Sequence, residues 1–281
     1  MKLKVNTPIV EAQWLNKNIE AKNLIILNAT IKKVGTTEKN NKKAKQIPNT
    51  IFFDLRNVFL DIDAAYPNTI PTEEHFQNEV QKLGVNNDSC IVVYDEIGTY
   101  SSPRVWWLFK VFGFNNITVL NGGLPNWEQK GYTVVKNSES TISTKGNFQA
   151  RYSTEKVKFI NDIQKAINEE NTAILDARSY NRFKAIEPEP RKGLKGGHIP
   201  TSKSLAYTNL QNEGNMKSKE ELKALFQEKD VINKPIIFTC GSGITACILA
   251  LASEIIDIKN YAVYDGSWTE WASTPNLPIE K

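Results

Sequence analysis

At 281 residues the chain is too long for one ordinary domain and fits two, and its 40% hydrophobic and 23% charged content describes globular cores rather than disorder. A net charge of +4, with a local basic run only at Lys42, Lys43 and Lys45 and no aromatic residues interleaved, points away from nucleic acid, although a mildly positive field helps to recruit a small anion. Three cysteines, Cys90, Cys240 and Cys247, with two histidines suggest neither a disulfide framework nor a zinc site. No apolar run has the length of a secretory signal or a membrane span, which gives a cytosolic expectation.

Taken in chain order, the pattern is written twice. LIILNAT at 24–30 returns as TAILDAR at 172–178, QIP at 46–48 as HIP at 198–200, and VLNGGLPNW at 119–127 as VYDGSWTEW at 263–271. The offsets are nearly constant, as a duplicated domain requires. In the first copy Leu24 to Leu27, Ile91 to Tyr94 and Thr118 to Leu120 read as buried strands; Ile174 to Leu175, Ile236 to Thr239 and Ala262 to Tyr264 take their places in the second. Short apolar runs alternating with helical segments predict an α/β fold, a mostly parallel sheet flanked by helices in each copy. The polar, aperiodic stretch at about 134–152 is the natural linker, giving domains at 1–140 and 150–281. Val157, Ile160, Ile163 and Ile167 fall on one helical face, so a helix is expected from Val157 to Ile167.

The strand IIFT runs directly into CGSGITAC at 240–247, followed by an apolar, small-residue helix. A cysteine therefore stands at the carboxyl edge of a parallel sheet, where ligands bind and a helix N-terminus offers unpaired N–H groups. Gly241 and Gly243 permit backbone angles that turn successive amides inward, and such a cradle should lower the Cys240 pKa. The bland alternative is a structural cysteine beside a tight turn. Cys90, before a buried strand, and Cys247, two turns into the helix, read as inert, with Cys247 a weak candidate for a resolving thiol. A cysteine phosphatase would need an arginine six residues after the nucleophile, and Ala246 stands there.

These residues resemble a known family. CGSGITAC resembles the active-site loop of 3-mercaptopyruvate sulfurtransferases, and DGSWTEW the C-terminal rhodanese signature. DARSYNRF with EPEPRKGLKGGHIP resembles the substrate-binding stretch of the catalytic domain, while YSSPRVWWLFKVFG and NGGLPNW resemble the non-catalytic one. The resemblance implies two tandem rhodanese-like domains of which the second carries sulfur as a persulfide on Cys240, without metal or organic cofactor. Independently, Asp95 takes the nucleophile's place in the first copy, where a carboxylate cannot hold a persulfide. By position Arg182 and Arg191 match the arginines the family uses to hold the donor, a task that suits planar guanidinium. Glu189 would orient an arginine or the loop, and Asp176 would tie down neighbouring backbone. Gly241, Gly243 and Ile244 are expected against the substrate, and Ser242 and Thr245 as hydrogen-bond donors to sulfur or to a forming enolate.

Thiosulfate-preferring members carry cationic residues after the cysteine; Gly241 and Ser242 here favour 3-mercaptopyruvate as donor, with thioredoxin, glutathione or cyanide as acceptor. Two alternatives stay open: thiosulfate as donor, or a sulfur-relay module loaded by a protein partner. Several members are proposed to use an Asp and a His from the first domain in a relay with the loop serine; here Arg56 and Asn68 stand nearest those places, so a relay is in doubt. His75 reads as a surface residue in a first helical turn and His198 as structural. Thr201 and Ser202 stand where the family usually has Gly-Ala, a change expected to affect a turn. Arg104 and Tyr100 are expected to line a cleft between the domains, and Trp106 and Trp107 to pack core and interface.

Overall fold

The computed structural model describes residues 2–33, 45–136 and 144–281, so Lys42, Lys43 and the middle of the expected linker lie outside the described residues. The chain forms two compact units. The first comprises 1–62, 70–152 and 213–215, and the second 63–69, 153–212 and 216–281.

The first unit contains β1 (Ile9–Val10), α1 (Ala12–Asn18), β2 (Leu24–Asn28), β3 (Thr50–Phe52), α2 (Glu73–Lys82), β4 (Cys90–Tyr94), α3 (Ser102–Val111), β5 (Ile117–Leu120) and α4 (Gly123–Gln129). The second contains β6 (Val157–Lys158), α5 (Ile160–Ala166), β7 (Ala173–Asp176), α6 (Tyr180–Phe183), β8 (Lys203–Ser204), α7 (Lys219–Glu228), β9 (Ile236–Thr239), α8 (Ala246–Ile255), β10 (Tyr261–Tyr264) and α9 (Ser267–Ser273). Both sheets are five-stranded and parallel, in the orders β1-β5-β4-β2-β3 and β6-β10-β9-β7-β8. The two orders are the same topology, which the repeated segments required.

The central strands β4 and β9 are buried along their whole length, because helices cover both faces of a parallel sheet and leave no solvated side for polar residues. The repeat also shows in its details. Asn28 and Asp176 end equivalent strands, and each side-chain Oδ1 accepts the backbone N–H two residues on, at 2.9 Å in both units. Trp127 and Trp271 close the repeats, each fully buried with its indole N–H on a main-chain carbonyl at 2.9 Å. Truncating either to alanine would cost about 3–5 kcal/mol.

One expected boundary moves. Val157 is not helical; it pairs with Val263 at the sheet edge, and α5 begins at Ile160. The helix cannot start earlier because the Asp162 carboxylate accepts the Phe159 N–H at 2.9 Å, fixing the first turn there. No helix among the described residues is long and apolar enough to cross a membrane.

Candidate active site

The central strand β9 ends at Thr239 and α8 begins at Ala246, leaving Cys240 to Thr245 as the turn between them. Its shape is set from beneath by the start of α9. The backbone N–H groups of Trp268 and Thr269 donate to the carbonyls of Cys240 (2.9 Å) and Gly241 (3.0 Å), and the Thr269 hydroxyl donates to Gly241 O at 2.6 Å. Ser267 Oγ accepts from the amides of Cys240 (3.3 Å) and Gly243 (3.1 Å) while donating to Tyr264 O at 2.8 Å. With those carbonyls held downward, the N–H groups of Gly241, Ser242, Ile244 and Thr245 meet no acceptor among the described residues. Four amides left unmatched around one turn make an anion cradle.

The two glycines serve different ends. Gly243 takes the left-handed conformation, φ 79°. Gly241 does not; it provides space, since a Cβ there would lie 3.1 Å from Arg182 Nη2 and 3.7 Å from Arg191 Nη1. Both guanidinium groups thus close on the loop. Cys240 is 2% exposed and is the first residue of this turn. Ile244 is buried and Thr245 half-buried in the same turn. Because the turn occupies six residues, Cys247 falls in the first turn of α8 rather than two turns in, and its thiol donates to Gly243 O at 3.3 Å. Cys90 is fully buried, and burial pushes its thiol up to about 11.

The equivalent loop of the first unit is filled from within. The Asp95 carboxylate, fully buried, accepts the N–H groups of Ile97, Tyr100, Ser101 and Ser102 and the Ser102 hydroxyl at 2.8–3.0 Å. Burial raises its pKa against the pull of those bonds. One copy of the turn is therefore filled by its own carboxyl group, whereas the other leaves its amides unmatched among the described residues. Tyr100 and Arg104 belong to this first unit. Arg104 is buried with its guanidinium 4.6 Å over the Trp107 ring, and Trp106 and Trp107 are both fully buried in α3.

A buried chain of charges fixes Arg182. Arg178, fully buried, grips the Asp176 carboxylate through Nε (2.9 Å) and Nη2 (2.6 Å), the Gly197 carbonyl through Nη2 (2.8 Å) and Glu189 through Nη1 (2.8 Å). Glu189 in turn receives Arg182 Nη2 at 2.6 Å. Burial opposes the Arg178 charge, but Asp176 and then Glu189 more than offset it and raise its pKa. The Arg178 guanidinium also lies 4.3 Å over the Trp268 ring, which ties this chain to the helix that shapes the cysteine loop. Arg191 Nη2 donates to Ser242 Oγ at 2.9 Å.

Sequence reasoning missed Arg178 and Ser267, and both had a signal in the repeat. Arg178 replaces Thr30 of the first copy at the end of an otherwise apolar segment. Ser267 replaces Gly123, and the two share the left-handed conformation, φ 52° and 55°. A serine held there costs about 1–2 kcal/mol. Of the relay positions, Arg56 donates to Lys32 O in the first unit, whereas Asn68 belongs to the second unit and donates to Ser242. His75 sits in the first turn of α2, its Nε2 2.7 Å from Val58 O. His198 stacks on Phe183 with Nδ1 3.0 Å from Phe183 O, and burial lowers its pKa. Thr201 adopts φ 65°, the left-handed conformation that favours glycine, so the change expected at this turn is a strained one.

Fold and site together define a cysteine-centred anion cradle on the second of two duplicated α/β units. The chain belongs to the rhodanese family, among the tandem-domain 3-mercaptopyruvate and thiosulfate sulfurtransferases: the rhodanese-like domain matches residues 11–130 and again 160–274. It is 35% identical to the 3-mercaptopyruvate sulfurtransferase of Escherichia coli K12, with 98% of each chain covered. It is 36% identical to the thiosulfate sulfurtransferase of Cricetulus griseus, with 94% of this chain and 91% of that one covered. The crystal structure of SseA, the E. coli 3-mercaptopyruvate enzyme, superposes with a TM-score of 0.84 at 33% identity, over 94% of this chain and 99% of that one. The Tum1 protein of Saccharomyces cerevisiae superposes with a TM-score of 0.87 at 28% identity, over 98% of each.

Proposed function

We propose that the protein transfers sulfur from 3-mercaptopyruvate to a thiol through a persulfide on Cys240. The observation that carries this reading is the convergence of Arg182, Arg191 and four unmatched amides on the loop that begins at Cys240. The Cys240 thiolate attacks the donor sulfur; the S–S bond forms as the C–S bond breaks, and the electron pair stays on carbon as the enolate of pyruvate. The enolate takes a proton from solvent. The cradle amides hold the persulfide anion, and the arginines hold the donor's carboxylate and carbonyl. Glu189 holds Arg182 directly, and Asp176 acts on that pair through Arg178. An acceptor thiol such as thioredoxin or glutathione, or cyanide, then removes the outer sulfur and restores the cysteine. The cytosolic setting read from the sequence would supply such thiols.

Gly241 bears on the choice of donor. Its missing side chain leaves room for two guanidinium groups above the loop, and an arginine introduced there would displace them. Steady-state comparison decides: the wild type should show a higher kcat/KM with 3-mercaptopyruvate than with thiosulfate, and Gly241→Arg should lose the former selectively. Cys240→Ser should abolish pyruvate release while Cys247→Ser keeps it. Pyruvate release by Cys240→Ser would overturn the proposal.

A further inference from the structure

Ser242 is held in a way that fixes which direction its hydroxyl works. Asn68, 5% exposed and at φ 64°, points its amide nitrogen at both the Ser242 carbonyl oxygen (3.0 Å) and Ser242 Oγ (2.9 Å). The carbonyl contact settles the identity of that atom, because a carbonyl only accepts; the group facing Oγ is therefore the NH2, a pure donor. Arg191 Nη2, also a pure donor, reaches the same Oγ at 2.9 Å. A hydroxyl oxygen has two acceptor sites and one proton. Both acceptor sites are taken, and the proton meets no acceptor among the described residues.

We propose that Asn68 and Arg191 lock Ser242 as an obligatory hydrogen-bond donor, whose proton is presented to the oxygen that becomes negative when the donor's C–S bond breaks. Asn68 is the positioning residue of this device. Ser242 so held cannot act as a base, since an oxygen with both lone pairs engaged has nowhere to receive a proton. A donor aimed in advance at a developing enolate oxygen stabilises it without reorganisation at the moment of reaction, an effect on the order of 10²-fold in kcat for a single such group. This inference rests on the persulfide reaction proposed above and adds to it the direction of one bond.

Asn68→Asp tests it with minimal change of shape. Aspartate tolerates the left-handed backbone but can only accept, so the Ser242 proton turns back toward residue 68 and away from the substrate. Pyruvate release should fall in kcat by on the order of 10²-fold, as in Ser242→Ala, with KM changed by less than about threefold. In the Ser242→Ala background the hydroxyl is already gone and only the contact with the residue-242 carbonyl is left to lose, so Asn68→Asp should cost far less than it does in the wild type. Asn68→Gly, which keeps the backbone angle without strain, should lose kcat by an intermediate factor and likewise add little to Ser242→Ala. An Asn68→Asp enzyme within about twofold of the wild type, or one whose loss repeats in full in the Ser242→Ala background, overturns the inference while leaving the persulfide reaction standing. A wild type that releases no pyruvate removes both.

Discussion

Replacing Arg178 with methionine removes a charge while keeping much of the side chain's volume against Trp268, so the loss that follows measures electrostatics rather than a cavity. Asp176 and Glu189 are each 1% exposed at the side chain. Glu189 keeps Arg182, but Asp176 is left in the interior without its counter-charge, and removing one partner of a buried pair costs about 3–5 kcal/mol. The stranded Gly197 carbonyl adds about 1–2 kcal/mol. The expected total, about 4–7 kcal/mol, is a large share of the roughly 5–15 kcal/mol that holds a domain together. Urea unfolding of wild type and variant should show a gap of about 4–7 kcal/mol at pH 7. A gap under about 1 kcal/mol would refute the reasoning.

Ser267→Gly relieves the left-handed strain but frees the Cys240 and Gly243 amides; the protein should keep its melting temperature within a few degrees while kcat for pyruvate release drops at least about tenfold. Thr201→Gly should raise stability by about 1 kcal/mol, the strain relieved at φ 65° less the added freedom of the unfolded chain, with no effect on KM; a destabilised variant would show that the threonine side chain matters more than its backbone.

The fold was legible because the chain states it twice. Six strands could be read from the apolar runs around Leu24, Ile91, Thr118, Ile174, Ile236 and Ala262, since a sheet covered on both faces leaves uninterrupted hydrophobic residues. The two-residue edge strands were not legible: β6 shows only Val157 and Lys158, and its valine also fits the helical period that follows. At the site, Cys240, its glycines and both arginines could be read from the order of motifs. Ser267 and Arg178 showed only as departures from the repeat, with their roles hidden, because their importance lies in what they touch across the fold: a hydroxyl under a loop 27 residues earlier, and a guanidinium linking carboxylates to an aromatic face. Gly241 was expected to supply an unusual backbone angle and instead supplies room, a distinction that depends on where the two arginine tips end.

The central claim is that Cys240 alone takes sulfur directly from a small donor. Intact-protein and peptide mass spectrometry after brief exposure to 3-mercaptopyruvate, with no other protein present, should find about 32 Da added to Cys240 and none to Cys90 or Cys247. An unmodified Cys240, or the added sulfur on either of the other two thiols, would contradict it.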